Sequence, residues 1–338
     1  MSKPPILNNL TIAPKAAKHE LYRWCDYIEL RCLVHPDSRF SRDGLIEAIS
    51  ESTDVSWGDD ELRSPEDLEP VNDDIEPETV ESDDRTETFA ARCFRHLRWR
   101  AHSFGDRWPF VLDDETKEIR LRLELTRAHY FYLQLLLSSS LKYCHKQRCS
   151  ELTGQFERLS LSVFKQLMPL GAEVHAFGAA QTSRYSGHLY DRLLKLATDV
   201  RGQLRMERRD FAPQNAGDGG LDLVAWHDLG DTRDGIPIAF AQCGCTATGW
   251  PDKMLAASPA RMSKKLVVAH NWATYYFMPL DLSNESSDQM QWQKKWDLAE
   301  AIVIDRLRLI RLSDPENLHA AGLLTVDSVN EAMQLRIA

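Results

Sequence analysis

Gly217-Asp218-Gly219-Gly220-Leu221-Asp222-Leu223-Val224-Ala225-Trp226, answered by Pro237-Ile238-Ala239-Phe240-Ala241-Gln242-Cys243, is the stretch whose reading decides the fold of this chain. A glycine-rich turn delivers one carboxylate onto an apolar strand, and a second apolar strand ends in a lone amide. Between them Gly230-Asp231-Thr232-Arg233-Asp234-Gly235 is a polar turn. That punctuation predicts antiparallel hairpin strands over Leu221–Trp226 and Ile236–Gln242. A charge inside an apolar strand is costly unless it is paired, hydrogen-bonded or metal-bound, which makes Asp222 the first candidate functional residue. The glycines at 217, 219 and 220 relax the backbone and leave room for a phosphate to approach, so Gly219 and Gly220 are candidate nucleic-acid contacts.

Hydrolysing a phosphodiester requires a cation close to both the attacking water and the scissile phosphate. Mg²⁺ accepts a site with one or two carboxylates when waters and phosphate oxygens complete its shell. Asp222 suits that role, and Gln242 offers an amide oxygen from the neighbouring strand. The helical stretch before the hairpin supplies a further carboxylate at Asp191 or Asp199; Asp191, near the helix start, is preferred.

This arrangement resembles the PD-(D/E)xK superfamily, the restriction-endonuclease-like nucleases. Its members share a helix carrying an acid, a hairpin carrying the Asp, and then an (E/Q)-x-K strand. The resemblance covers about 185–290 and implies a helix acid at Asp191, the hairpin Asp at Asp222 and the Glu/Gln position at Gln242. It implies an α+β protein whose α/β core is a mixed sheet flanked by helices. It further implies Mg²⁺ or Mn²⁺ dependence, a nucleic-acid substrate with DNA favoured over RNA, and a bacterial defence or restriction setting with a possible protein partner. The chain departs from the pattern at Gly244, where the family has its lysine. Lys253 is the candidate replacement, with Lys264 and Lys265 behind it. A second reading is therefore a catalytically inactive member of the fold, a structural or recruiting subunit of a defence or DNA-processing complex. A third is a plain α+β interaction protein.

The remainder of the chain is organised around that core. Four segments are expected: helical 1–50, an acidic flexible linker 51–88, a mainly helical 89–180 with a small hairpin, and the nuclease-like 181–338. Within 51–90 there are sixteen Asp or Glu against two Arg, so this piece carries −14 of a net charge of −10 and the rest sums to about +4. An acidic tether on a mildly basic body permits a nucleic-acid surface without demanding one. Arg92, Arg95, Arg98 and Arg100 lie on an amphipathic helical stretch from Glu87 to Phe104; Arg95 and Arg98 are the candidate phosphate contacts. A solvated helix face is the plainer alternative.

Ala17–Leu33, Tyr130–Tyr143, Leu152–Leu167 and His188–Val200 read as helices, with Ser41 capping another. Tyr275–Leu280 reads as a strand, while 259–268 and 299–310 fit helix or strand. The seven cysteines read as free thiols of a reducing cytoplasm. Cys144, His145 and Cys149 lack a partner pair for zinc, and Cys243, Cys245 and His270 lack an orienting acid for thiol catalysis. No apolar run is long enough to span a membrane and the start lacks a signal-peptide pattern, which together predict a cytoplasmic protein, with homo-oligomerisation left open.

Overall fold

The computed structural model describes residues 3–8, 10, 13–14, 20–51, 78–178, 184–211, 219–284, 291–292, 298 and 300–337. The acidic stretch 52–77 lies outside the described residues, as do Gly217 and Asp218. The helices are α1 Leu21–Val34, α2 Arg42–Ser50, α3 Glu78–Phe104, α4 Arg127–Ser139, α5 Lys146–Leu167, α6 Leu189–Asp199, α7 Trp250–Met254, α8 Pro259–Met262, α9 Arg306–Leu312, α10 Pro315–Ala320 and α11 Val326–Gln334. None is long and apolar enough to cross a membrane.

Strands β1 Arg39–Ser41, β2 Phe110–Asp113 and β3 Glu118–Leu121 form an antiparallel sheet in the order β1-β3-β2. The larger sheet contains β4 Glu173–Ala176, β6 Leu223–Trp226, β7 Ile238–Cys243, β9 Ala273–Phe277 and β12 Ile302–Ile304, in the order β12-β9-β7-β6-β4. Its β4-β6-β7 half is antiparallel, and β9 and β12 continue it in parallel. Short pairs join β5 Gln203–Leu204 to β8 Leu266–Val267, and β10 Ser283–Asn284 to β11 Gln291–Trp292.

Alternation along the strands divides the apolar residues between the two faces of the five-stranded sheet. Leu223, Ala225, Ala239, Ala241 and Cys243 join the core that also holds Phe156, Leu159, Val163 and Phe164 of α5. Phe164 sets its ring edge-on to Tyr275 and Phe277, with centroids 5.3 and 5.8 Å apart. Val224, Trp226, Ile238 and Phe240 pack on the other side with Leu189, Leu193 and Leu196 of α6. The sheet thus carries helices on both faces, as expected of a mixed α/β core.

Two expected boundaries move. Helix α3 begins at Glu78, inside the segment read as a flexible linker to residue 88. The sheet layer also starts before residue 181, because α5 and β4 belong to it. The two regions left open between helix and strand contain both: α8 precedes β8, and β12 runs into α9 through the cap residue Asp305.

A buried ionic lattice fastens the helical half to the sheet. Arg100 of α3 lies 2.9 Å from Asp26, 3.0 Å from Glu29 and 3.1 Å from Asp281. Arg306 donates to both oxygens of Asp26 at 2.8 and 2.7 Å and to Pro279 O at 2.8 Å. Tyr132 and Trp108 donate to Glu29 at 2.9–3.0 Å. Burial alone would raise the Asp26 pKa, but the two guanidiniums outweigh it and hold the carboxyl below its ordinary value. For Glu29 burial prevails and the pKa rises despite Arg100 and Arg306. The core around α1, α3, α4 and α5 is continuous with one face of the sheet, so these charges lie within a shared interior.

Candidate functional site

Asp222 stands just before β6 and is 5% exposed. Its Oδ2 accepts the backbone N–H of Cys243 at 2.7 Å, bridging the two hairpin strands at the end where Gln242 sits. The register Leu223–Ala241 carried one residue further sets Asp222 opposite Gln242. The carbonyl of Asp222 accepts from Phe177 N at 2.7 Å and Gly178 N at 3.2 Å, fixing it from the β4 side. Gly178 is small by necessity: a Cβ there would lie 2.6 Å from Asp222 Oδ1 and 3.2 Å from its Cα.

Arg192 holds that clamp in place. It is 1% exposed, and its Nη1 donates to Phe177 O at 2.8 Å and Gly178 O at 3.2 Å. Sequence reasoning missed it, although its spacing from Leu189 and Leu196 puts it on the apolar stripe of α6. An arginine inside such a stripe needs acceptors, and here backbone carbonyls supply them.

Gln242 is 3% exposed, and its Oε1 has no hydrogen-bond partner among the described residues. A buried acceptor left unmade costs about 1–3 kcal/mol, so its retention points to a ligand or solvent atom. One strand over, Tyr276 is the register partner of Gln242, and its hydroxyl is likewise buried and unpartnered. The chain turns through Gly244 beside that hydroxyl. A Cβ at 244 would lie 2.8 Å from Tyr276 Cζ and closer still to the oxygen. Glycine at 244 is thus dictated by the tyrosine, and no lysine fits there while Tyr276 keeps its place.

The other sequence candidates are dispersed. Asp191 is exposed on α6 and pairs with Arg208, and no bond joins it to Asp222 or Gln242. Asp199 is held by Arg184 at 3.0 Å, by Tyr185 at 2.8 Å and by Lys195. Lys253 is exposed on α7 and makes no ion pair with Asp222; its charge is felt instead by the Cys245 thiol. Lys264 is exposed, whereas Lys265 donates to Gly219 O at 2.7 Å and ties down the glycine turn. Gly219 and Gly220 take φ of 68° and 95°, and the space beside them is filled by Leu189 and Ala256. What these glycines admit here is protein. Arg95 and Arg98 are exposed on α3, with Arg98 bonded to Asp114.

Glu157 of α5 was not foreseen. Burial raises the Cys243 thiol pKa, and the charges of Asp222 and Glu157 push it further. Cys245 is raised by burial, lowered by Lys253 and raised again by Glu157 and Asp222. Both carboxylates therefore act on the same two thiols at the end of β7. The signal for Glu157 was its place beside Phe156 at the edge of the apolar face of α5. Cys144 and Cys149 donate to carbonyls and His145 caps α5, so none of the three is arranged as a zinc ligand. Among the described residues no three His, Cys, Asp or Glu side chains are grouped to hold a metal. Comparison with protein-family models, curated proteins and solved structures returns no match.

Proposed function

We propose that the chain is a metal-dependent nuclease of the restriction-endonuclease-like kind, acting on DNA in preference to RNA in a bacterial defence or restriction setting. The observation that carries this reading is the unpartnered, buried Oε1 of Gln242 opposite buried Asp222 at the end of a hairpin. The sheet order supports it. So does α5, a helix ahead of β4 whose Glu157 carries a charge felt by the Cys243 and Cys245 thiols at the end of β7. Asp222, Gln242 and Glu157 offer hard oxygen donors of the type Mg²⁺ or Mn²⁺ prefers. Such an ion, when bound, would offset the charge that grows on phosphate as water attacks phosphorus. The chain's own contribution is orientation. Cys243 N–H and the Gly178 backbone hold Asp222, Arg192 holds Gly178, and the strand pairing of β7 with β9 fixes Gln242.

The exposed position of Lys253 and the filled space at Gly244 favour a second reading, an inactive member of the same fold that recruits a partner. Cleavage of plasmid, single-stranded DNA and RNA with Mg²⁺ or Mn²⁺, run beside Asp222→Ala, separates the two. The expected result is cutting by the wild type that falls at least 100-fold in the variant, on the order of a lost essential catalytic contact. A folded wild type that neither cuts nor binds Mn²⁺ refutes the nuclease and leaves recruitment.

A further inference from the structure

We propose that Tyr276 is a catalytic residue of this site, whose hydroxyl, packed against Gly244, and the Gln242 amide oxygen together hold the attacking water. The inference rests on the nuclease reading and adds a residue to it. Gln242 and Tyr276 are register partners on adjacent parallel strands, so their side chains leave the sheet on the same face. Both end in buried polar atoms without a hydrogen-bond partner among the described residues, and Thr274, two residues earlier in β9, has a hydroxyl in the same state. This face of the sheet therefore carries a row of polar atoms that no described residue satisfies.

The two groups are complementary. Gln242 Oε1 only accepts, whereas Tyr276 O–H can donate. One water molecule answers both by donating a proton to the amide oxygen and accepting the phenolic proton. Its remaining O–H is then free to point toward Asp222, whose charge is felt at the Tyr276 hydroxyl. The tyrosine transfers no proton in this role; burial raises its pKa and keeps it a neutral donor. Its ring is fixed by packing, stacked on Trp250 with centroids 6.5 Å apart and enclosed with Met254 and Met278. A rigid donor needs no reorganisation when the water is used. Gly244 belongs to the same device, since any side chain there displaces the hydroxyl.

The test uses the full-length chain and three variants, Tyr276→Phe, Gly244→Ala and Asp222→Ala. It reads cleavage rate, Mn²⁺ affinity by titration, and Tm. Tyr276→Phe is expected to lower kcat by about 100-fold, of the order seen when one positioned donor is removed. Its KM and Mn²⁺ affinity stay within twofold of wild type and its Tm does not fall, because the deleted hydroxyl bonds to no group among the described residues. Gly244→Ala is expected to show the same loss of kcat. Full activity in Tyr276→Phe beside a dead Asp222→Ala overturns the role of Tyr276 and leaves the nuclease standing. A loss of kcat that comes with a matching fall in Tm in Tyr276→Phe assigns the hydroxyl to packing and also overturns it. A wild type that neither binds Mn²⁺ nor cuts removes the nuclease and this inference together.

Discussion

Replacing Asp305 by Asn should stabilise this protein at alkaline pH and do so less as the pH falls. Asp305 is 2% exposed, and its Oδ1 accepts Arg308 N–H at 3.0 Å as the cap of α9. Burial, then the charge of Asp281, raise its pKa from 3.8 to about 7, against the opposing pull of Arg308. The folded state therefore holds this proton more tightly than the unfolded chain does. Its stabilising contribution is complete below about pH 4 and is lost as pH rises through 7. Between pH 5 and pH 8 that loss is close to two pH units, about 2–3 kcal/mol. Asn keeps the cap hydrogen bond and gives up only about 0.3–1 kcal/mol of charge–dipole energy.

For a chain of 338 residues an unfolding entropy of about 2.1 cal/mol/K per residue converts 1 kcal/mol into about 1.4 °C. The Tm advantage of Asp305→Asn should thus widen by about 3–4 °C between pH 5 and pH 8. Scanning calorimetry of both proteins across that range measures it. An Asn variant that melts below wild type at pH 8, or a gap that stays the same from pH 5 to 8, refutes the assignment of a raised pKa to this buried cap.

Three further outcomes follow from the geometry. Gly178→Ala places a methyl against the Asp222 carboxylate and backbone, so it should cost about 1–3 kcal/mol in urea unfolding and weaken Mn²⁺ binding as Asp222→Ala does; unchanged stability and binding would mean that β4 yields freely. Arg306→Met removes the guanidinium that bonds both oxygens of Asp26 and leaves Arg100 as the remaining guanidinium paired with Asp26 and Glu29. The loss should be about 3–5 kcal/mol, seen as a lower urea midpoint, and a neutral result would show that the lattice re-forms around Arg100. Asp222→Ala itself should abolish cutting while the far-ultraviolet circular dichroism stays that of the wild type.

Local rules made the hairpin legible. Alternating apolar residues and the Gly230–Gly235 turn define β6 and β7, because both signals act between neighbours in sequence. The Ser41 cap, the small β2-β3 hairpin and the helices α1, α4, α5 and α6 were legible for the same reason. Asp222 and Gln242 could be singled out as polar residues on apolar strands. What could not be read was which distant elements complete their surroundings. Two helices before the hairpin carry acids, and only packing decides that the charge of Glu157 on α5 is felt at the end of β7 while Asp191 on α6 is exposed.

The sequence by itself determined a glycine-bounded hairpin with a buried carboxylate and a strand-end amide, since period, punctuation and the cost of burying charge are properties of neighbouring residues. Only the tertiary structure decided what meets them. Parallel pairing of β7 with β9 crosses more than twenty residues of intervening chain, and no local pattern encodes its register. That register brings the Tyr276 hydroxyl to the backbone of Gly244, and so explains physically why a glycine stands where a lysine was expected.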